Sequence, residues 1–426
     1  MNFMVEKYTL DQSDEENYVY WSCINDRINY GFKDFEKYLL TWYKYMGRQY
    51  NVYKPLLWTF DNLYGLLWEG LSREKNGEKI LFYSFKYKQL ISSIQENNNA
   101  ALIVNGKKDR FFALSKLCPY FSDSDLYGEF FRYHREKNPK YINSILNTIQ
   151  KRLSSIRPSV VILPNDSLPI ERAIVLSCRR LNIPTVFIQH GIYQSSCFLL
   201  DGLAADYVLV WGNYFKKMYQ DLGVNPDRIF IVGYPYKKTG LNQNDAIIKG
   251  SGKLKVYYLG QNYEEINSDY LEIKRTTLTH LNNFCKMNGV DFIYRPHPRD
   301  DRDKISFVVS GVSMTPYHES LDDSIRKGDI FISFNSTSLV EAAMKSRFCL
   351  QLRNYPIEAD NFENLGICQR SFDCIEDLEL FLKQIISNPE SLGQKIAFNN
   401  DYIDLSLNPD KRLMQIIHSI IENHDD

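Results

Sequence analysis

Short apolar runs alternate with longer amphipathic stretches from about Lys79 onward. Apolar runs bounded by Gly, Pro or polar turns are typical of buried strands, and apolar spacings of three and four residues are typical of helices between them. In the first half, this pattern predicts one helix over Ile170–Leu181 and the strands Ile80–Ser84, Ala101–Val104, Ser159–Leu163, Thr185–Gln189, Tyr207–Trp211 and Ile229–Val232. Strands that alternate with helices predict an α/β fold with parallel sheets.

A second alternating series begins at Val256, after a stretch from Tyr236 to Lys253 that has no apolar period and is rich in Gly, Asn, Ser and Lys. This stretch is predicted to be an interdomain linker. The second series predicts the strands Val256–Leu259, Asp291–Tyr294, Ile330–Ser333 and Cys349–Leu352, and helices near Tyr270–Met287, Ser320–Lys327, Ser338–Ser346, Ile375–Ser387 and Asp410–Asn423. We therefore predict two doubly wound, Rossmann-like domains facing each other across a cleft.

The length of 426 residues also favours two domains, because a single core rarely grows that large. The predicted division is an N-terminal extension at residues 1–78, a first domain at residues 79–240 and a second at residues 241–426. The extension is rich in aromatic residues between Tyr38 and Trp68. We predict that it forms a helical layer on the first domain, with partner binding or contact with a membrane surface as alternatives.

The composition and the absence of certain motifs disfavour several classes of partner and cofactor. Lys and Arg total 51 against 52 for Asp and Glu, and this balance argues against a nucleic-acid partner. The eight cysteines are scattered singly, which disfavours zinc and disulfide frameworks, and neither GxGxxG nor a Walker sequence occurs, so no cofactor is expected. The acidic start and the lack of a long apolar run lead us to expect a cytoplasmic protein, with peripheral contact at the inner face of the membrane as an alternative.

The strand-end loop RPHPRD carries the first candidate chemistry. Ligands of doubly wound sheets bind beyond the carboxyl ends of strands, where this loop is expected. It places His297 between the stiffening prolines Pro296 and Pro298, with Arg295 and Arg299 on either side of them. These groups could neutralise a phosphate that departs with a leaving nucleotide. The alternative is a turn with solvated arginines and a helix-capping histidine.

A second loop, FNSTSLVEAAMKS, follows the strand Ile330–Ser333. It begins with residues that favour a helix N-terminus, namely Asn335, Ser336, Thr337 and Ser338. A helix N-terminus binds phosphate readily, and Glu341 lies one turn further in, within reach of a ribose diol. The alternative is simple helix capping. The strand Val256–Leu259 ends in Gly260 and Gln261, which could bring a backbone amide to the same phosphate.

In the first domain, the strand Thr185–Gln189 ends in His190 and Gly191. A histidine at a strand end can act as a general base, and a following glycine allows close approach of a substrate. The loop PNDSLPIER offers Asp166 and Glu171 for the same acceptor-side role, and the residues alone leave this choice open. The acidic runs SDSD and DDRD are predicted to be solvated loops, so we expect no catalytic metal.

The segments YYLGQ, YRPHPRD and FNSTS resemble the C-terminal lobe of the bacterial GT-B sialyltransferases and polysialyltransferases. The resemblance implies a GT-B fold and a CMP-linked donor whose phosphate is held by His297, Ser336, Thr337 and Ser338. The segments FIQHGIY and RIFIVGYPY are similar to capsule-synthesis transferases and CDP-glycerol glycerophosphotransferases, which implies a functional role for His190. The sialyltransferases carry their base in an acidic pair before glycine, and the best counterpart here is only Asn165-Asp166-Ser167.

Together these features predict an inverting, metal-independent glycosyltransferase. The expected donor is a CMP-activated sugar, first a nonulosonic acid such as sialic acid, and the acceptor a hydroxyl of a bacterial surface polysaccharide (O-antigen, lipooligosaccharide or capsule), free or lipid-linked. The alternatives are a CDP-glycerol or CDP-ribitol phosphotransferase, a UDP-sugar enzyme of the same fold, and a non-catalytic scaffold. The predicted catalytic residues are Asp166, His190 and His297. The predicted donor-binding residues are Gly260, Gln261, Arg295, His297, Pro298, Ser336, Thr337, Ser338 and Glu341.

Overall fold

The computed structural model describes residue 15 and residues 17–29, 32–46, 79–83, 88–95, 100–104, 107–116, 118, 120–193, 202–235, 253–393 and 397–425. The predicted linker from Tyr236 to Lys253 lies outside these residues except for Lys253. Most of the aromatic stretch of the extension lies outside them as well. The boundary at residue 240 therefore stays a prediction. Among the described residues, no helix combines the length and apolar character needed to cross a membrane.

The first sheet has seven parallel strands in the order β3-β2-β1-β4-β5-β6-β7. They are β1 (Ile80–Tyr83), β2 (Ala100–Val104), β3 (Tyr120–Ser122), β4 (Val160–Leu163), β5 (Thr185–Ile188), β6 (Tyr207–Val210) and β7 (Ile229–Ile231). Every residue of β1, β4 and β5 is buried, because helices cover both faces of the sheet. This burial explains their continuous apolar runs.

The second sheet has six parallel strands in the order β10-β9-β8-β11-β12-β13. They are β8 (Lys255–Leu259), β9 (Asp291–Arg295), β10 (Ser313–Met314), β11 (Ile330–Ser333), β12 (Phe348–Leu352) and β13 (Arg370–Phe372). In both sheets the strand order reverses once, between β1 and β4 and between β8 and β11. These two sheets confirm the predicted two-domain, doubly wound GT-B fold, and we refer to the domains as the first and second lobes.

The helices lie on both faces of the sheets. In the first lobe they are α1 (Ser22–Asn29), α2 (residues 35–46), α3 (Lys88–Gln95), α4 (Lys107–Ser115), α5 (Ser124–Glu136), α6 (Lys140–Ile156), α7 (Pro169–Arg180) and α8 (Asn213–Asp221). Those that follow are α9 (Tyr270–Met287), α10 (Arg302–Val308), α11 (Leu321–Lys327), α12 (Thr337–Met344), α13 (Ile375–Ser387) and α14 (Pro409–Asp425). The predicted bounds of α9 and α13 are confirmed.

Three strands were missed by the sequence analysis: β3, β10 and β13. All three lie at the edge of a sheet, and they contain two or three residues each. Edge strands are half-exposed and short, so they carry no continuous apolar run that could reveal them.

The described part of the N-terminal extension connects the two lobes. Its helices α1 and α2 pack with α5, α6 and α7 on one face of the first sheet. Asp34 lies between α1 and α2 in the chain. It donates its backbone N–H to the carbonyl of Ile266 (2.9 Å), and its side chain accepts the N–H of Ser268 (2.8 Å). The rings of Phe32 and Tyr263 stack with centroids 6.1 Å apart. The extension therefore contacts the second lobe close to the loop that follows β8.

The C-terminal helix α14 returns to the first lobe. Its side chains Leu413, Ile417 and Ile421 are buried against the opposite face of the first sheet, in one cluster with residues of α3. Just before this helix, Asp404 donates its N–H to the carbonyl of Trp211 at 2.9 Å. The chain thus crosses between the lobes a second time, and both faces of the first sheet are covered.

Candidate functional site

Three loops of the second lobe form one continuous edge. They follow the adjacent strands β9, β8 and β11 and lie where the strand order reverses. Gly260 donates its N–H to the carbonyl of Arg295 at 2.9 Å, and the side-chain amide of Gln261 donates to the carbonyl of Asn335. The loops that contain His297 and Ser336 are therefore held together by the loop between them. The reversal of strand order is the usual ligand position in such sheets.

His297 is held in a defined geometry at the end of β9. Its backbone N–H donates to Asp300 Oδ2 at 2.9 Å, and its ring Nδ1 accepts the N–H of Arg299 at 3.2 Å. A nitrogen that accepts a hydrogen bond carries no proton, so the neutral ring has its N–H at Nε2. The side chain is half-buried. Burial lowers the pKa of His297 to about 4, against the opposing effect of Asp300. At neutral pH His297 is thus a neutral Nε2–H donor rather than a cation.

The loop after β11 leads into α12 with Ser336 at the N-cap. The Ser336 hydroxyl accepts the N–H of Ser338 at 3.1 Å, as expected for a capping serine. Asn335 and Ser336 are buried, whereas Thr337, Ser338 and Glu341 are half-buried. The predicted capping is observed, and the half-buried hydroxyls lie at the edge where the sheet order reverses.

The two lobes meet at this point. The N–H of Ile192 donates to Thr337 Oγ1 at 3.4 Å, and a side chain at Gly191 would come within 3.8 Å of the same oxygen. His190 precedes this contact at the end of β5, half-buried, with its Nδ1 3.3 Å from the hydroxyl of Tyr193. The turn with His190 and the N-terminus of α12 are therefore brought together across the cleft.

Two predicted donor-site residues have structural tasks. The guanidinium of Arg295 donates to the carbonyls of Glu319 (3.1 Å) and Ser320 (3.3 Å) and to Ser324 Oγ (2.8 Å), so it anchors the start of α11. Gly260 lies against Tyr294, whose hydroxyl would be 2.4 Å from an added Cβ. This packing requires a residue without a side chain at position 260. The sequence analysis had explained the glycine only by a contact with phosphate.

Asp166 is buried, and both of its carboxylate oxygens accept hydrogen bonds from the backbone. Its side chain is buried, with 1% exposed, and it accepts backbone N–H groups from Gly202, Ala204 (2.9 Å) and Ala205 (2.7 Å). Burial raises the pKa of this carboxyl, while the three amides and Arg172 act in the opposite direction. Both oxygens are engaged in holding the segment that leads into β6. This geometry disfavours Asp166 as the catalytic base, and the assignment of the base stays a prediction.

Glu171, the other carboxylate predicted on the acceptor side, is buried as well. It lies in the first turn of α7 and is buried, with 6% exposed. Its charge acts on the buried tyrosines Tyr43, Tyr83 and Tyr127, whose pKa values are raised first by burial and then by neighbouring carboxylates. Glu171 thus lies near the buried tyrosines, and its burial disfavours an acceptor-side role, which stays a prediction.

The acidic runs predicted as solvated loops are partly buried. In DDRD the side chain of Asp300 has 0% exposure, and in SDSD the side chain of Asp123 is fully buried and accepts the hydroxyl of Tyr83 at 2.7 Å. The sequence analysis missed the burial of both, because Asp123 is enclosed beside Tyr83, 40 residues earlier in the chain, and Asp300 beside Lys274 of α9. Across the described ranges, no group of three or more His, Cys, Asp or Glu is arranged to hold a metal ion.

The two sheets, with a site where strand order reverses, define the GT-B class of fold. The chain is similar to the UDP-GlcNAc 2-epimerase from Neisseria meningitidis bound to UDP-GlcNAc, with a TM-score of 0.56, 14% identity, and coverage of 81% of this chain and 100% of that one. It is also similar to the UDP-GlcNAc 2-epimerase from Methanocaldococcus jannaschii in complex with UDP-GlcNAc and UDP. Here the TM-score is 0.54 and the identity 14%, with coverage of 80% of this chain and 99% of that one.

A glycosyltransferase from Rickettsia africae has the same fold, with a TM-score of 0.51, 12% identity, and coverage of 82% of this chain and 99% of that one. No protein-family model matches the chain, and no curated protein matches its sequence. At such low identity the likeness shows the fold alone. Because the N. meningitidis enzyme is covered completely by 81% of this chain, about a fifth of the chain has no counterpart there.

Proposed function

We propose that the protein is an inverting, metal-independent glycosyltransferase that uses a nucleotide-activated sugar. The observation that carries the proposal is the meeting of the His190 turn with Thr337 at the N-terminus of α12. A transferase needs a base on the acceptor side and a phosphate site on the donor side within one reaction distance. This contact supports the proposal, because it brings the proposed acceptor side and the proposed donor side next to each other.

The donor phosphate is proposed to lie between His297 and the start of α12. The neutral His297 offers one N–H at Nε2, and Thr337 and Ser338 offer hydroxyls. Helix N-termini favour anions through their dipole and their amide groups. Glu341, one turn further along α12, is proposed to accept hydrogen bonds from a ribose. Donors placed where negative charge develops stabilise the departing nucleotide.

His190 is the proposed base. The two carboxylates predicted for this task are buried in structural contacts, whereas His190 is half-buried beside the donor loops. It would take the proton of the acceptor hydroxyl while that oxygen attacks the anomeric carbon and the nucleotide leaves from the opposite face. One displacement of this kind inverts the anomeric configuration.

The proposed donor is a CMP-linked sugar, first a nonulosonic acid, because YYLGQ, YRPHPRD and FNSTS resemble the sialyltransferase lobe. The proposed acceptor is a hydroxyl of a bacterial surface glycan, free or lipid-linked. A CDP-glycerol or CDP-ribitol phosphotransferase would use the same nucleotide site and stays an alternative, supported by the FIQHGIY segment.

A UDP-sugar enzyme is the second candidate. It is favoured by the similar structures, two of which hold UDP-GlcNAc. Such an enzyme could transfer the sugar or epimerise it. Epimerisation at a C–H carbon requires groups that remove and return a proton, and His190 is a candidate for that task as well, so the two activities are separated by their products.

The nucleotide is identified by calorimetry with CMP, CDP, UMP, UDP and GDP, followed by product analysis with the matching activated sugars. Selective binding of CMP and transfer with inversion support the proposal. Preference for UDP with a 2-epimer product would replace it with the second candidate. A purified chain that binds none of the five nucleotides would point to a non-catalytic scaffold.

A further inference from the structure

A buried polar cluster lies beneath the loop that carries His297. Its members are Lys274 of α9, Glu264 of the turn after β8, and Asp300 of the loop after β9. Their side chains are 1%, 5% and 0% exposed. Lys274 Nζ contacts Glu264 Oε1 and lies 3.5 Å from Asp300 Oδ1. Two carboxylates and one ammonium are thus enclosed together, and buried charges of this kind are costly unless they are paired and hydrogen-bonded.

The second oxygen of Asp300 faces the His297 loop. Oδ2 accepts the hydroxyl of Tyr294 and the backbone N–H of His297, each at 2.9 Å, and the Asp300 N–H donates back to the His297 carbonyl at 2.9 Å. Hydrogen bonds to a charged carboxylate are stronger than neutral ones. The turn from His297 to Asp300 is therefore closed at both ends by one residue.

This turn determines which ring nitrogen of His297 carries the proton. It brings the N–H of Arg299 to within 3.2 Å of Nδ1, which leaves Nε2 as the protonated nitrogen. The Tyr294 hydroxyl that holds the same Asp300 oxygen is itself fixed in place, because Tyr294 is fully buried and packs against Gly260. The loops after β8 and β9 therefore share one support.

We infer that Asp300 is the positioning residue of the donor site: held by Lys274 and Tyr294, its carboxylate closes the His297 turn and fixes the ring with Nε2–H as the donor. This inference rests on the proposed function for its consequence in nucleotide binding. The arrangement of the ring itself belongs to the free protein and can be measured without any nucleotide.

The chain offers a matched control. Asp301, the next residue, is exposed and caps α10 by accepting the N–H of Lys304 at 3.2 Å. It therefore performs a local backbone task without contacting His297. Asp300→Asn keeps an acceptor oxygen for the His297 N–H and removes the charge, whereas Asp300→Ala removes both. Comparison of Asp300→Asn, Asp300→Ala and Asp301→Ala therefore distinguishes loss of the acceptor oxygen from general damage to the loop.

The experiment is a long-range ¹H–¹⁵N spectrum of the full chain labelled at histidine. The chain has seven histidines, and His297→Gln identifies the resonance of His297. We expect a single Nε2–H tautomer in the native chain and in Asp301→Ala, a mixture of tautomers in Asp300→Ala, and an intermediate pattern in Asp300→Asn, which keeps the acceptor oxygen but loses the ion pair with Lys274. Affinity for the nucleotide identified by calorimetry should fall roughly tenfold in Asp300→Ala and change by less than about threefold in Asp301→Ala.

A native tautomer pattern in folded Asp300→Ala would overturn the inference, as would an equal disturbance in Asp301→Ala. If Asp300→Ala does not fold, Tyr294→Phe removes only the hydroxyl on the same carboxylate oxygen. A weaker shift in the same direction is then expected, and an unchanged ring would overturn the inference. If the native chain binds no nucleotide, the proposed function fails while the spectrum still decides whether Asp300 positions His297.

Discussion

The loops after β4 and β9 each carry a buried aspartate that accepts backbone amides, yet the two aspartates serve different parts of the molecule. Asp166 holds the N–H groups of Gly202, Ala204 and Ala205, and these belong to the buried approach to β6. Asp300 holds the N–H of His297, whose half-buried ring lies at the edge of the cleft. The role of an aspartate at a strand end therefore depends on which backbone segment its carboxylate holds.

The largest expected effect is that of His190→Asn, which distinguishes the proposed role of the first lobe in catalysis from that of the second lobe in nucleotide binding. Loss of a general base should lower turnover roughly 100- to 10,000-fold, while affinity for the donor nucleotide stays within about threefold. Steady-state kinetics with calorimetry on the same preparation measures both. Equal losses of turnover and nucleotide affinity would contradict the assignment of His190 to the acceptor side.

Asp166→Asn should affect stability and leave nucleotide affinity unchanged. The NH2 group that replaces one carboxylate oxygen cannot accept a hydrogen bond, so either the N–H of Gly202 at Oδ1 or those of Ala204 and Ala205 at Oδ2 lose their acceptor. Each buried donor left unpaired costs about 1–3 kcal/mol. Urea unfolding measures the loss. A folded variant of native stability whose turnover collapses would restore Asp166 as the catalytic base.

In the first lobe, the ionisation of Asp123 should have a smaller effect, on the pH dependence of the free energy of unfolding. Burial raises the pKa of its carboxyl to about 7 from its usual 3.8, against the hydrogen bonds from Tyr83 and Tyr127. The folded chain therefore keeps the proton between these values while the unfolded chain loses it, so this group makes stability fall as pH rises from about 4 to 7. Above pH 7 its unfavourable contribution is complete.

The test is the pH dependence of urea unfolding in Asp123→Asn. The variant lacks the titrating group, so its stability should fall less between pH 5 and pH 8 than that of the native chain. Parallel curves for the two chains would show that Asp123 ionises normally in the folded protein, and its burial would then need another explanation.

The sequence predicted most of what depends on local pattern. Continuous apolar runs located the central strands, and the rule that ligands bind at carboxyl ends directed attention to the loops containing His297 and Ser336. The role of Asp166 could not be predicted, because its partners lie 36 to 39 residues further along the chain. Lys274 was missed for a similar reason: within α9 it has the sequence context of a surface lysine, and only the tertiary fold encloses it.

The most direct test of the central claim, that the second lobe holds the donor phosphate through His297, is the nucleotide affinity of His297→Ala. The control is His280→Ala, which alters an exposed histidine of α9 in the same lobe. Loss of one hydrogen bond to a charged phosphate predicts a drop of roughly tenfold or more in His297→Ala and no change in His280→Ala. Native affinity in a folded His297→Ala would contradict the account.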